Sequence, residues 1–293
     1  MITKLRAGYG GDLKAKGKTL QKTQIIAITS GKGGVGKTTI AVNMAIAWQQ
    51  LGKKVLLIDA DLYLGNVDLN LGIRSEKTIA DVVKKDLELS EVIIKTPMKI
   101  DVLPASSASL DLIESENEIL EKLAEKFKRF ENSYDYIILD TGAGIALNVL
   151  SFLLGSDKIG VVITPDPASI TDAYAVIKVV KSVNKNLPVY LIGNMVNHAD
   201  ESDVLFKKMN LMVHKFLDSQ IYYGGALLKD DMVARSVKKQ RPFILEHPNG
   251  LAANAVRGMV RRFMQALTAN GFASKNIFER VLETKNTQVE WSH

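Results

Sequence analysis

Nine consecutive residues carry the strongest chemical signal in this chain: Gly31-Lys32-Gly33-Gly34-Val35-Gly36-Lys37-Thr38-Thr39. They match the phosphate-binding pattern G-x-x-x-x-G-K-[ST]. The glycines let backbone N–H groups curl around phosphate oxygens, and a following helix N-terminus favours the same anions. Lys37 is placed to reach β- and γ-phosphates, and the Thr38 hydroxyl to ligand Mg²⁺. Three carboxylates complete the set. Asp59 and Asp140 each end an apolar run, and Asp61 follows two residues after the first. At the carboxyl ends of strands, such groups hold Mg²⁺ directly or through water, or orient an attacking water. The small residues Thr141-Gly142-Ala143-Gly144 suit a segment that senses a γ-phosphate.

These groups need strands behind them. Short apolar runs predict strands at Ile25–Thr29, Lys54–Asp59, Ile100–Pro104, Tyr136–Asp140, Ile159–Thr164 and Val189–Asn194, with another near Ile221–Leu228. The runs are nearly continuous, as in strands buried on both faces. Helical periodicity lies between them at Thr38–Leu51, Asn117–Phe130, Ile170–Val183 and Leu251–Leu267. The alternation predicts an α/β fold: a single domain with a mostly parallel sheet and helices on both faces.

Composition narrows the function. The 293 residues are 46% hydrophobic and 24% charged, with a net charge of +6 and no cysteine. The missing cysteines exclude disulfides, Cys-ligated zinc and cysteine-held iron–sulfur clusters. No apolar run is long enough for a membrane span, and no secretory leader is expected. The positive charge is uneven. Residues 1–24 carry six basic side chains against Asp12, residues 251–293 carry six against three acidic, and the body between is near neutral. That distribution makes nucleic acid an improbable partner. Residues 1–24 read as a flexible basic arm, 25–270 as the nucleotide domain, 271–288 as a tail, and 289–293 as the start of an affinity tag.

The second lysine, Lys32, narrows the resemblance. Lys-Gly-Gly-x-Gly-Lys-Thr-Thr resembles the deviant Walker A motif of the MinD/ParA ATPases, as do Ile58-Asp59-Ala60-Asp61, Asp140–Gly144 and Thr164-Pro165-Asp166. The resemblance implies a cytoplasmic ATPase that uses ATP and Mg²⁺. It is a homodimer with ATP and a monomer with ADP or without nucleotide. It further implies that Lys32 reaches the partner's phosphates and that Asp61 positions the hydrolytic water. Asp140 becomes the Walker B residue, and Asp166 and Asp172 lie toward the partner. Asn194 and Asp230 fall at the adenine side, although Leu228-Lys229-Asp230 lacks the proline often found there.

Within that family Asp61–Asp68 resemble both MinD and FlhG, while the arm and Gly193-Asn194-Met195-Val196-Asn197 look more like the FlhG (FleN, YlxH) branch, which controls flagellar number and placement. The FlhF GTPase and flagellar C-ring proteins are the implied partners. The arm has Leu5-Arg6 but not the acidic–glutamine element through which many FlhG proteins stimulate FlhF. A MinD-like role in septum placement and a ParA-like role in DNA partition are the alternatives. Two apolar patterns bear on membranes. Val256, Met259, Val260, Phe263, Met264 and Leu267 read as a last helix packed on the sheet. Phe272, Ile277, Phe278, Val281 and Leu282 suit either an amphipathic helix at the inner membrane face or a helix docked on its own domain.

Overall fold

The computed structural model describes residues 22–61, 65–105, 116–130, 132–265 and 275–289. Most of the basic arm and Phe272 therefore fall outside the described residues. The strands are β1 (Gln24–Ser30), β2 (Val55–Ala60), β3 (Ile94–Lys95), β4 (Asp101–Leu103), β5 (Tyr136–Ala143), β6 (Lys158–Ile163), β7 (Val189–Val196) and β8 (Tyr222–Leu228). They form one eight-stranded sheet in the order β3-β4-β2-β5-β1-β6-β7-β8. Every pairing is parallel except β3 with β4, so the expected mostly parallel sheet is what forms. β3, only two residues long, was invisible to pattern reading because it is too short to show a period.

Alternation along the strands feeds two cores. In β1, Ile25 and Ala27 face one layer, while Ile26 and Ile28 face the other. The first four helices are α1 (Lys37–Gln50), α2 (Val67–Leu71), α3 (Ile79–Lys84) and α4 (Leu89–Val92). Next come α5 (Glu116–Phe127), α6 (Leu147–Gly155), α7 (Pro167–Val183) and α8 (Ala199–Leu217). The last are α9 (Asp231–Lys238), α10 (Phe243–Glu246), α11 (Leu251–Gln265) and α12 (Ile277–Val289). α1, α2, α10 and α11 contribute to one core, and α3 to α8 with α12 to the other.

α1 is apolar nearly all round because it lies between the sheet and the α10–α11 layer. Ile40 through Trp48 are all buried. It stops at Leu51, followed by Gly52 at φ 77°, a left-handed turn that glycine makes at little steric cost. Asn43, the amide side chain in that buried run, uses both its nitrogen and its oxygen. Its amide donates to the Thr39 carbonyl at 2.8 Å and its oxygen accepts the Ile244 N–H at 3.0 Å.

α11 packs on the sheet with Val256, Met259, Val260 and Phe263 fully buried. Lys158, itself buried, donates to the Phe263 carbonyl at 2.9 Å and so satisfies one carbonyl of the last helical turn. α12 docks on α5 and α6. Ile277, Phe278 and Val281 are buried, and Phe278 meets Phe127 edge-on at 5.3 Å. Arg280 pairs with Asp157 at 3.0 Å, with both side chains at most 2% exposed. The other Asp157 oxygen accepts the Ile25 N–H at 2.9 Å, which ties α12 to the start of β1.

Candidate functional site

The phosphate loop leaves β1 at Ser30 and enters α1 at Lys37. Gly34 and Gly36 take φ 77° and 91°, a region costly for residues with a Cβ. Gly33 and Gly34 face open space, so none of the described residues obstructs a ligand there. Gly36 is the N-cap of α1, and no side chain caps this helix, so its first N–H groups point toward the loop unused by a cap. A helix start that carries no acidic residue in its first turn and is preceded by an open glycine loop is an anion site.

The loop is held from three sides. The Gly144 N–H donates to the Ser30 carbonyl at 2.9 Å, and the Ser30 hydroxyl to the Lys32 carbonyl at 2.6 Å. A Cβ on Gly31 would overlap the Asp172 backbone, so α7 sits directly behind the loop. Asn194, at the end of β7, donates its amide to the Val35 carbonyl at 2.7 Å. A Cβ on Gly36 would overlap the same amide.

Asp59, next to last in β2, stands in direct register with Asp140 on the adjacent strand, and both are buried. β5 runs past Asp140 to Ala143, so residues 141–143 extend the strand where the sequence suggests a flexible segment. Burial pushes Asp140 up to about 6, against the Thr38 hydroxyl that bonds it and the nearby Lys37 charge. Burial, then the charge of Asp140, pushes Asp59 up to about 8. Asp140 Oδ1 is buried with no hydrogen-bond partner among the described residues. An orphaned oxygen in a carboxyl group that lies beside the Thr38 hydroxyl and next to a second buried carboxyl group has the chemistry of a hard-cation site. Thr38 and Asp140 thus fit Mg²⁺. Asp59 directs its oxygens to the N–H groups of Asp61 and Val67, at 3.2 and 3.1 Å. The Asp61 carboxylate lies beside Gly142, where an added Cβ would stand 3.6 Å from Oδ2. Thr39 turns away from this centre, its hydroxyl 3.4 Å from Asn70 Oδ1.

The remaining expected residues fall at the rim. Lys32 pairs with Asp166 of its own chain at 2.7 Å, both side chains about half exposed at 46% and 45%. Asp166, with Asp172 adding to it, raises the Lys32 ammonium above its ordinary value, while Lys32 lowers Asp166. Asp166 also caps α7, accepting the Ala168 N–H at 3.3 Å. Asp230 caps α9, accepting the Met232 N–H at 2.8 Å. With Met232, Val233, Phe243 and His247 it lines a cavity of about 410 Å³. Sequence reasoning missed the grip of Asn194 on the loop and of Asn43 on α10. A lone Asn inside the apolar run Ile40–Trp48 was the available signal for the second.

Comparison with known proteins agrees with this geometry. The AAA domain family model matches residues 23–191. The antiactivator FleN of Pseudomonas aeruginosa is 34% identical over 83% of this chain and 87% of its own. The flagellum site-determining protein YlxH of Helicobacter pylori is 33% identical over 89% of this chain and 90% of its own. The structure of the septum site-determining protein MinD from Pyrococcus horikoshii, complexed with Mg-ADP, superposes with a TM-score of 0.67 at 25% identity, over 82% of this chain and 96% of that one. The chain thus belongs to the MinD/ParA family of P-loop ATPases, enzymes that hydrolyse ATP with Mg²⁺.

Proposed function

We propose that this ATPase is a nucleotide-switched regulator of flagellar number or placement, whose output is its dimeric state. The observation that carries the flagellar reading is the likeness to FleN and YlxH, which extends over more than four fifths of each chain. In this reading the amides of Gly31, Gly33, Gly34, Val35 and Gly36 cradle the phosphates, with Lys37 and Thr39 beside them. Thr38 and Asp140 hold Mg²⁺, which offsets phosphate charge. Asp61 orients the attacking water. Asn194 and Asp230 lie toward the base.

Lys32 is the group that makes dimerisation depend on nucleotide. On one protomer its charge is met by Asp166, in an exposed pair that contributes little. A partner's phosphates offer more charge at a site that becomes closed to water on dimerisation, as an arginine finger does. Ile145 and Leu147, half exposed just after Gly144, supply apolar surface beside it. ATP then favours the dimer by binding it preferentially, and hydrolysis returns the monomer. Among the described residues no helix is long and apolar enough to cross a membrane. Peripheral attachment through α12 requires its release from α5 and α6, because its apolar face is buried there. FlhF and C-ring proteins are the partners that follow from the flagellar reading.

Likeness to MinD favours septum placement as the second reading. Capture assays with the Asp61→Ala protein, loaded with ATP or ADP, separate the two. Association with C-ring proteins or FlhF in one nucleotide state supports the first. ATP-dependent binding to MinC, with no flagellar partner in either state, replaces it with the second.

A further inference from the structure

Asp59 stands at the end of β2 and meets two backbone amides that lie on either side of residues 62–64. Oδ1 accepts the Asp61 N–H at 3.2 Å, and Oδ2 accepts the Val67 N–H at 3.1 Å. Val67 opens α2, whose N-cap Asn66 makes no side-chain cap bond. Asp59 therefore supplies, from the preceding strand, an acceptor for this helix start. Gly65 closes over the same carboxylate: a Cβ there would overlap both Asp59 Oδ2 and the Ala105 side chain. Three points of one short stretch, at 61, 65 and 67, thus converge on a single side chain.

Asp140 is different. One of its buried oxygens has no hydrogen-bond partner among the described residues, and the Thr38 hydroxyl lies beside the carboxyl group. Two adjacent carboxylates therefore have separate tasks: one is turned to backbone N–H groups, the other is left for a cation. We propose that Asp59 is a positioning residue whose carboxylate clasps the Asp61 and Val67 amides and so fixes the Asp61 side chain beside the phosphate loop, with the magnesium ion left to Thr38 and Asp140. The inference rests on the reading of Asp61 as the water-orienting group. Bonds from two N–H groups to the two oxygens of one carboxyl group are directional, which suits a clasp. Displacement of a catalytic group by about 1 Å can cost about 100-fold in rate.

The test uses the whole protein with Asp59→Asn, which keeps one acceptor and turns a donor toward the other N–H. ADP affinity is titrated with and without Mg²⁺, ATP turnover is timed, and hydrogen exchange is followed at the Asp61 and Val67 amides. The clasp predicts ADP affinity and its magnesium gain within about twofold of the parent, kcat lower by roughly 10- to 100-fold, and faster exchange at both amides. Gly65→Ala presses on the same carboxylate with Asp59 intact and should give the same split. Loss of the magnesium gain in Asp59→Asn, with Gly65→Ala unaffected, makes Asp59 a metal ligand and overturns the proposal. Unchanged exchange at both amides also overturns it. Parent-level turnover by Asp61→Ala defeats the reading of Asp61 instead, and the exchange data still decide the clasp.

Discussion

Asn194 and Val35, far apart in sequence, are joined by a buried hydrogen bond of 2.7 Å from the Asn194 amide to the Val35 carbonyl. The amide oxygen accepts the Met195 N–H at 3.0 Å, and Met195 adopts φ 55°, a strained conformation for a side chain of that size. Both ends of the Asn194 amide therefore serve the protein, and one of them shapes the phosphate loop.

Asn194→Ala strips the Val35 carbonyl of its partner, a loss of about 1–3 kcal/mol. ATP and GTP should lose affinity together, by about tenfold, in fluorescence titrations. A change in the preference between adenine and guanine, with unchanged affinity for the preferred one, would return Asn194 to a base-reading role.

Lys37→Ala removes the loop's inward cation. Charge-assisted contacts of that kind contribute about 1.5–3 kcal/mol each, so nucleotide binding should weaken by about 100-fold or more. Calorimetric titration checks it, and retained affinity would mean that Lys37 does not touch phosphate.

The Lys32–Asp166 pair opposes any use of Lys32 by another protomer. Asp166→Asn should tighten the ATP-dependent dimer, but by less than about fivefold, since exposed pairs contribute little. Lys32→Ala should leave only monomer. Sedimentation velocity with ATP distinguishes the two, and loss of the dimer in Asp166→Asn would place Asp166 in the dimer contact itself.

The buried carboxylates give the nucleotide-free protein an inverted pH response. Asp59 and Asp140 are raised to about 8 and about 6, so the folded chain holds protons that the unfolded chain releases near 4. Their contribution to stability is fully present below pH 4 and is lost as pH rises through those folded values. Between pH 5.5 and 8.5 the Tm of the nucleotide-free protein should fall, and that of Asp59→Asn should fall less. Equal slopes for the two proteins in scanning calorimetry would count against the shifted carboxylate.

Arg280→Ala leaves Asp157 charged and buried without its partner. Breaking such a pair costs about 3–5 kcal/mol, and much of it should return in the double variant Asp157→Leu, Arg280→Met. Liposome sedimentation of Arg280→Ala without nucleotide tests whether undocking α12 is sufficient for membrane binding. Protein left in solution despite a lowered Tm would mean that α12 is structural.

Local pattern carried the phosphate loop, β1, β2 and the start of β5, because glycine spacing and apolar runs act within a few residues; it stopped β5 at Asp140, three residues short of Ala143. What local pattern could not carry is pairing across the chain. Nothing near Lys32 points to Asp166, and nothing near Asn194 points to Val35. α12 shows a second limit: the spacing of Ile277, Phe278 and Val281 fits a lipid surface and a protein groove alike, and the buried Arg280–Asp157 pair favours the groove. β3 shows a third, since two residues at a sheet edge have no period to read.

The strand order has a consequence for biosynthesis. β1, the first strand among the described residues, lies between β5 and β6, whose pairing residues begin at Tyr136 and Lys158. Contacts of such long sequence separation form slowly. The nascent phosphate loop has neither flanking strand until nearly half of the 293 residues have emerged, and lacks β6 until more than half have, so nucleotide can stabilise this protein only after that point in its synthesis.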